Sequence, residues 1–134
     1  MIQKINIFIA AVPDLLNICD VTADTLGMQG YLSSPGYQSP YGSNTDCTVS
    51  ITPPADMGVS VELQMIDLDL ETDCSDRLTI TDRSNNQVVT LCGGFAPTMQ
   101  RFINTSAVDL RFVTSDHMFA PQKRGFVLAY KSKH

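Results

Sequence analysis

Apolar residues in this chain recur at every second position, and that period admits few folds. Val49 and Ile51 alternate with polar neighbours, as do Val59, Val61, Leu63 and Met65, and then Ile66, Leu68 and Leu70. The same spacing returns at Leu78 and Ile80, at Val108, Leu110 and Phe112, and at Phe126, Leu128 and Tyr130. Successive side chains of a strand point to opposite faces, so each run reads as a strand with one apolar side to bury. Turn-forming residues separate the runs: Ser34-Pro35-Gly36, Pro53-Pro54, Asp82 to Asn86, Gly93-Gly94 and Ala120-Pro121. Short strands with one apolar face each are best buried by a second sheet, which predicts an all-β, antiparallel β-sandwich. The phase changes once, from odd positions through Met65 to even positions from Ile66, and a bulge or bend there keeps both sets facing the core.

The chain has 134 residues, 43% of them hydrophobic, enough for one domain with its own core. No linker or repeat interrupts the pattern after Cys19, so residues 19–134 read as a single domain. Residues 1–18 are set apart as a signal peptide or a disordered lead-in, with a charged start through Lys4 and an apolar stretch from Ile5 to Val12. A net charge of −5 has the wrong sign for neutralising phosphates, which argues against a nucleic-acid partner. No apolar run reaches the length of about 18 residues that a membrane-spanning helix needs.

Four cysteines, Cys19, Cys47, Cys74 and Cys92, stand singly and not in the paired C-x-x-C spacing of zinc sites. An even count at wide spacing suits two disulfides and an oxidising, secreted or extracellular setting. Four cysteines permit three pairings, and spacing alone does not choose among them.

Several stretches together resemble the CUB domain of secreted and extracellular proteins. They are Cys19; Gly30 to Tyr37 with Tyr41; Cys47-x-Val49-x-Ile51-x-Pro53; and Val61-x-Leu63-x-Met65-x-x-Leu68-x-Leu70-Glu71. They continue as Cys74-x-Asp76-x-Leu78-x-Ile80-x-Asp82, Leu91-Cys92-Gly93, Leu110-x-Phe112-x-x-Ser115-Asp116 and Gly125-Phe126-x-x-x-Tyr130. The resemblance implies a jelly-roll type β-sandwich and the disulfides Cys19–Cys47 and Cys74–Cys92. In the calcium-binding branch of the family, the positions matching Glu71, Asp76 and Asp116 supply carboxylate ligands, and the position matching Tyr41 orients the glutamate by a hydrogen bond. Calcium takes six to eight oxygens, so three carboxylates with carbonyls and water suit it chemically. One departure stands out: Cys74-Ser75-Asp76 is a residue tighter than the family's usual Cys-x-x-Asp.

Seven of the fourteen acids fall between Glu62 and Asp82, and of these Glu62, Asp67, Asp69 and Asp73 read as a solvated sheet edge. Neither G-x-S-x-G nor H-E-x-x-H occurs, and His117 is adjacent to Asp116, on the opposite side of any strand, so no catalytic dyad is ready. The expectation is a non-catalytic extracellular module whose calcium-organised acidic site captures a lysine or arginine of a partner protein. The second reading is a glycosaminoglycan- or carbohydrate-binding, spermadhesin-like protein using its basic C-terminal third, where Arg101, Arg111, Lys123, Arg124, Lys131 and Lys133 lie. Asn104-Thr105-Ser106 is a sequon for N-glycosylation.

Overall fold

The computed structural model describes residues 15–22, 29–52, 60–94, 107–116 and 123–133. Eight strands are present: β1 (Leu15–Asn17), β2 (Gln29–Ser33), β3 (Asp46–Ile51), β4 (Ser60–Asp69), β5 (Arg77–Asp82), β6 (Gln87–Leu91), β7 (Val108–Val113) and β8 (Gly125–Lys133). They form two four-stranded sheets, ordered β1-β2-β8-β4 and β3-β7-β5-β6. This is the expected β-sandwich. All strand pairs are antiparallel save β1 with β2, which run parallel. β1 and the buried Ile18 lie within the stretch read as a lead-in, so the sheet begins at Leu15, ahead of Cys19.

The period-two residues line the space between the sheets. On one side Leu63 faces Tyr130, Met65 faces Leu128 and Leu68 faces Phe126 across the β4–β8 ladder. On the other, Val49 and Ile80 flank Leu110, while Leu78 faces Phe112. All of these side chains are buried. Removing each from water stabilises the fold by about 1.5–3 kcal/mol before chain entropy is set against it.

The phase change is a β-bulge. Register with β8 shifts between Met65 and Asp67, leaving Ile66 as the extra residue, after which Leu68 and Leu70 point inward again. Ile66, expected to begin the even-numbered apolar set, is only half-buried because it carries the bulge. The β5–β6 hairpin turns where expected: the Ser84 N–H and hydroxyl both donate to Asp82 Oδ1, and the Gln87 N–H donates to Asn85 Oδ1. Pro53-Pro54 and Ala120-Pro121 lie outside the described residues, as do Asn104 and His117.

The disulfides are Cys19–Cys47 and Cys74–Cys92, the pairing implied by the family resemblance. The first joins the two sheets, since Cys19 follows β1 and Cys47 sits in β3. The second ties the β4–β5 loop to the end of β6.

At the start of β8, Gly125 has φ +98° and an added Cβ would lie 1.8 Å from Ser34 Oγ, the oxygen that accepts the Phe126 N–H. Gly125→Ala is expected to destabilise the domain by about 3 kcal/mol, from backbone strain and overpacking together. Urea unfolding of the oxidised protein measures it.

Candidate functional site at the acidic pole

At one end of the sandwich three segments converge: Gly42–Asp46, entering β3; Leu70–Asp76, between β4 and β5; and Thr114–Asp116, leaving β7. Backbone bonds hold the outer two together, with the Thr114 N–H donating to the Thr45 carbonyl (2.8 Å) and the Asn44 N–H to the Ser115 carbonyl (3.0 Å). Thr114 Oγ1 bonds both Gly42 O and the Thr45 N–H. The Leu70–Asp76 segment is pinned by Gly93, whose N–H donates to the Glu71 carbonyl and whose carbonyl accepts the Leu70 N–H.

Asp76 lies at the centre and is 0% exposed. Tyr41 Oη donates to its Oδ2 at 2.8 Å, and the Ser115 N–H and hydroxyl donate to Oδ1 at 2.9 and 3.3 Å. A buried carboxylate needs such donors, because the desolvation of an unpaired charge costs several kcal/mol. Tyr41 is itself buried, and its ring packs edge-on against Phe112, which packs in turn against Phe126. Burial first, then the hydrogen bond to Asp76 and its charge, push the Tyr41 phenol far above its usual range, so Tyr41 stays a donor. The backbone of Glu71 opposes this shift and the Glu71 charge adds to it, which places Glu71 close to the phenol.

The expected set thus shares one pole with unequal roles. Asp76 is buried and bonded on both oxygens, Glu71 is half-buried, and Asp116 is exposed, touched by Asn44 Nδ2 at a long 3.4 Å. Tyr41 bonds Asp76, where a bond to the glutamate was expected. Ser115 was within the matched motif but had no role assigned from sequence. Its part depends on a backbone N–H, which residue type does not announce. Among the described residues no three acids, histidines or thiols are gathered at metal-binding spacing.

Four acids elsewhere, Asp46, Asp67, Asp69 and Asp109, are matched to arginines. Arg111 forms a two-bond pair with Asp46, and Arg83 bonds Asp109 and Ser50. Arg124 bonds both oxygens of Asp67 and also reaches Asp69 at 3.2 Å, while the Tyr37 hydroxyl donates to Asp67. Asp67 and Asp69 are therefore bonded groups where a solvated edge was expected. The basic C-terminal third is correspondingly depleted, because Arg111 and Arg124 are engaged, and Arg101 lies outside the described residues.

The CUB domain model fits residues 19–130 of the chain. The chain belongs to the CUB domain family. A CUB domain is a non-catalytic module. Human signal peptide, CUB and EGF-like domain-containing protein 2 is 38% identical over 61 residues, covering 46% of this chain and 6% of that protein. Human membrane frizzled-related protein is 28% identical over 88 residues, covering 65% of this chain and 15% of its own length. This CUB domain therefore spans only a small part of the curated relatives it matches. Among solved structures, the full extracellular region of zebrafish Gpr126/Adgrg6 superposes with a TM-score of 0.68 at 28% identity, covering 86% of this chain and 15% of that one. The MASP-1 CUB2 domain bound to Ca2+ superposes with a TM-score of 0.64 at 19% identity, covering 90% of this chain and 99% of that one, a likeness of fold.

Two outcomes test this geometry. Tyr41→Phe keeps the ring and removes the donor, leaving a buried carboxylate oxygen short of a partner. A loss of about 3 kcal/mol is expected in urea unfolding.

The second outcome concerns acid. Burial works to raise the Asp67 carboxyl, but the hydrogen bonds from Arg124 and Tyr37 and the charge of Arg124 outweigh it and hold Asp67 below the usual carboxylate range. A depressed folded pKa contributes stability that is full above the unfolded value, about 3.9, and is lost as pH falls through the lower folded value. Asp67→Asn should lower the melting temperature at neutral pH and flatten its fall below about pH 4, where the wild-type carboxylate protonates. Scanning calorimetry across that range reads both.

Proposed function

We propose that this CUB domain is an extracellular protein-binding module whose acidic pole receives a lysine or arginine side chain of a partner protein. One observation carries the reading. Asp46, Asp67, Asp69 and Asp109 are neutralised by arginines, whereas Glu71 and Asp116 form no ion pair with any described residue. Their negative charge is left facing outward at the pole, beside a rigid core of Tyr41, Asp76 and Ser115. A basic side chain there gains charge-assisted hydrogen bonds, and the fixed loops reduce the ordering that binding requires.

Calcium is the ion these carboxylates suit chemically: two lie on the Leu70–Asp76 segment and one on Thr114–Asp116, and they would have to draw closer together around it than they stand in this structure. Glu71, Asp76 and Asp116 are the residues that would hold it, with Tyr41 and Ser115 fixing Asp76. A bound dication would keep the outer carboxylates in place as acceptors. The calcium-bound state of the structurally similar MASP-1 CUB2 domain supports the proposal. Extracellular location agrees with the two disulfides and with the extracellular region of Gpr126/Adgrg6 among the similar structures.

Calcium should raise the melting temperature where magnesium does not, because a ligand of the native state adds about 2.7 kcal/mol at a hundred times its Kd. Asp116→Ala is expected to remove that increase and to weaken capture of a lysine-bearing partner peptide at least tenfold. Chelator should do the same to the wild type, and high salt should weaken binding at this exposed site. Equal melting temperatures in calcium and chelator would remove the ion from the mechanism. Binding that survives Glu71→Ala and Asp116→Ala would remove the pole.

A further inference from the structure

Among the described residues four strands end the two sheets, β1 and β4 in one, where Gly94 bridges to Asp69 of β4, and β3 and β6 in the other. An edge strand exposes unpaired backbone groups, and proteins blunt such edges with shortness, charge, bulges or covalent ties. Three of the four have such a device. β1 is three residues long, β4 carries Glu62, Asp67 and Asp69 together with the bulge, and β3 is tethered through Cys47.

β6 has neither shortness, charge nor bulge, and its one covalent tie, Cys74–Cys92, lies just beyond its end. Its sequence, Gln-Val-Val-Thr-Leu, contains no charge, proline or glycine, and its pairing with β5 runs from Leu91 to Gln87 without a shift. Alternation turns Val89 and Leu91 toward the core and Val88 and Thr90 to solvent. Val88 is 56% exposed, the one exposed large hydrophobic side chain among the described residues. Across β5 these two positions adjoin Thr81 and Thr79, which continues an uncharged surface away from the edge.

We infer that β6 is a self-association edge, on which a second copy of this chain adds its own β6 in antiparallel register about Val89. The charge pattern selects this occupant. The chain carries −5, and a β4 edge facing its own copy would set acids against acids. Two β6 edges related by a two-fold axis set Val88 of one copy opposite Thr90 of the other and present no like charges. β-branched pairs of this kind stabilise adjacent strands, and a self-complementary patch closes at two copies. The joined sheets form one continuous sheet. A contact five residues long is smaller than the interface of a lasting dimer, so the association is weak and depends on concentration.

The experiment is sedimentation velocity of the oxidised full chain from about 10 μM to about 1 mM, in calcium and in chelator, a range that spans weak dimers. Wild-type protein should shift from monomer to dimer in both buffers. V88K/T90K and V88E/T90E, at two exposed positions, should each stay monomeric, and their equimolar mixture should recover the dimer as a heterodimer. A wild-type chain that stays monomeric to the highest concentration would overturn the inference. So would double variants that still dimerise alone, or a mixture that stays monomeric. A dimer lost in chelator would move the contact to the acidic pole and overturn it as well, while leaving the lysine-capture reading standing.

Discussion

A carboxylate with no access to water has to find every hydrogen bond inside the protein, and Asp76 is where this fold meets that requirement. Its donors come from Tyr41, between β2 and β3, and from Ser115, after β7, while Asp76 itself directly precedes β5. The same phenol ring packs edge-on against Phe112 of one sheet, and Phe112 packs edge-on against Phe126 of the other. The polar network is therefore fastened to an aromatic column that crosses the core. Geometry at the pole and packing between the sheets are one problem: a shift of the ring that suits the core would break the bond to Asp76.

Charge placement follows a division of labour. On the sheet faces acids are spent on arginines, in bonds that fasten one strand to its neighbour: Arg111 in β7 to Asp46 in β3, and Arg124 before β8 to Asp67 in β4. Such exposed pairs contribute modestly to stability, but they cancel field over most of the surface. Glu71 and Asp116, at the pole, are among the acids that no described arginine pairs with.

Much of the fold was legible in sequence because the core strands bury a single face. Alternation located β3, β4, β5, β7 and β8, and the odd-to-even change located the bulge. β6 escaped because Val88 and Val89 are adjacent apolar residues on opposite faces, so no period appears. β1 and β2 escaped because Leu15-Leu16 and Gly30-Tyr31-Leu32 do not alternate, and the parallel pairing of β1 depends on a partner distant in sequence. Glu71, Asp76 and Asp116, named from sequence, lie on loops at the same end of the sandwich, on the segment before β5 and the segment after β7. Their inequality was not legible, because burial of Asp76 and exposure of Asp116 depend on how loops fold over them. Arg124 was read with the free bases for the same reason: its partners lie 55 and 57 residues away.

The order of strands in the sheet containing β8 has a consequence for biosynthesis. β8 is the last strand of the domain, yet it lies between β2 and β4 and pairs with both. While the ribosome is still holding the C-terminal strand, β2 and β4 have no common neighbour, and Leu32, Leu63, Met65 and Leu68 have only half of their eventual surroundings. The other sheet is closed earlier, when β7 emerges and joins β3 to β5. In the native topology one sheet can therefore pair fully before the last strand is made, while the other needs that strand between β2 and β4. A nascent chain halted before Gly125 would present a long apolar slot to solvent, the kind of surface that chaperones hold until the missing strand arrives.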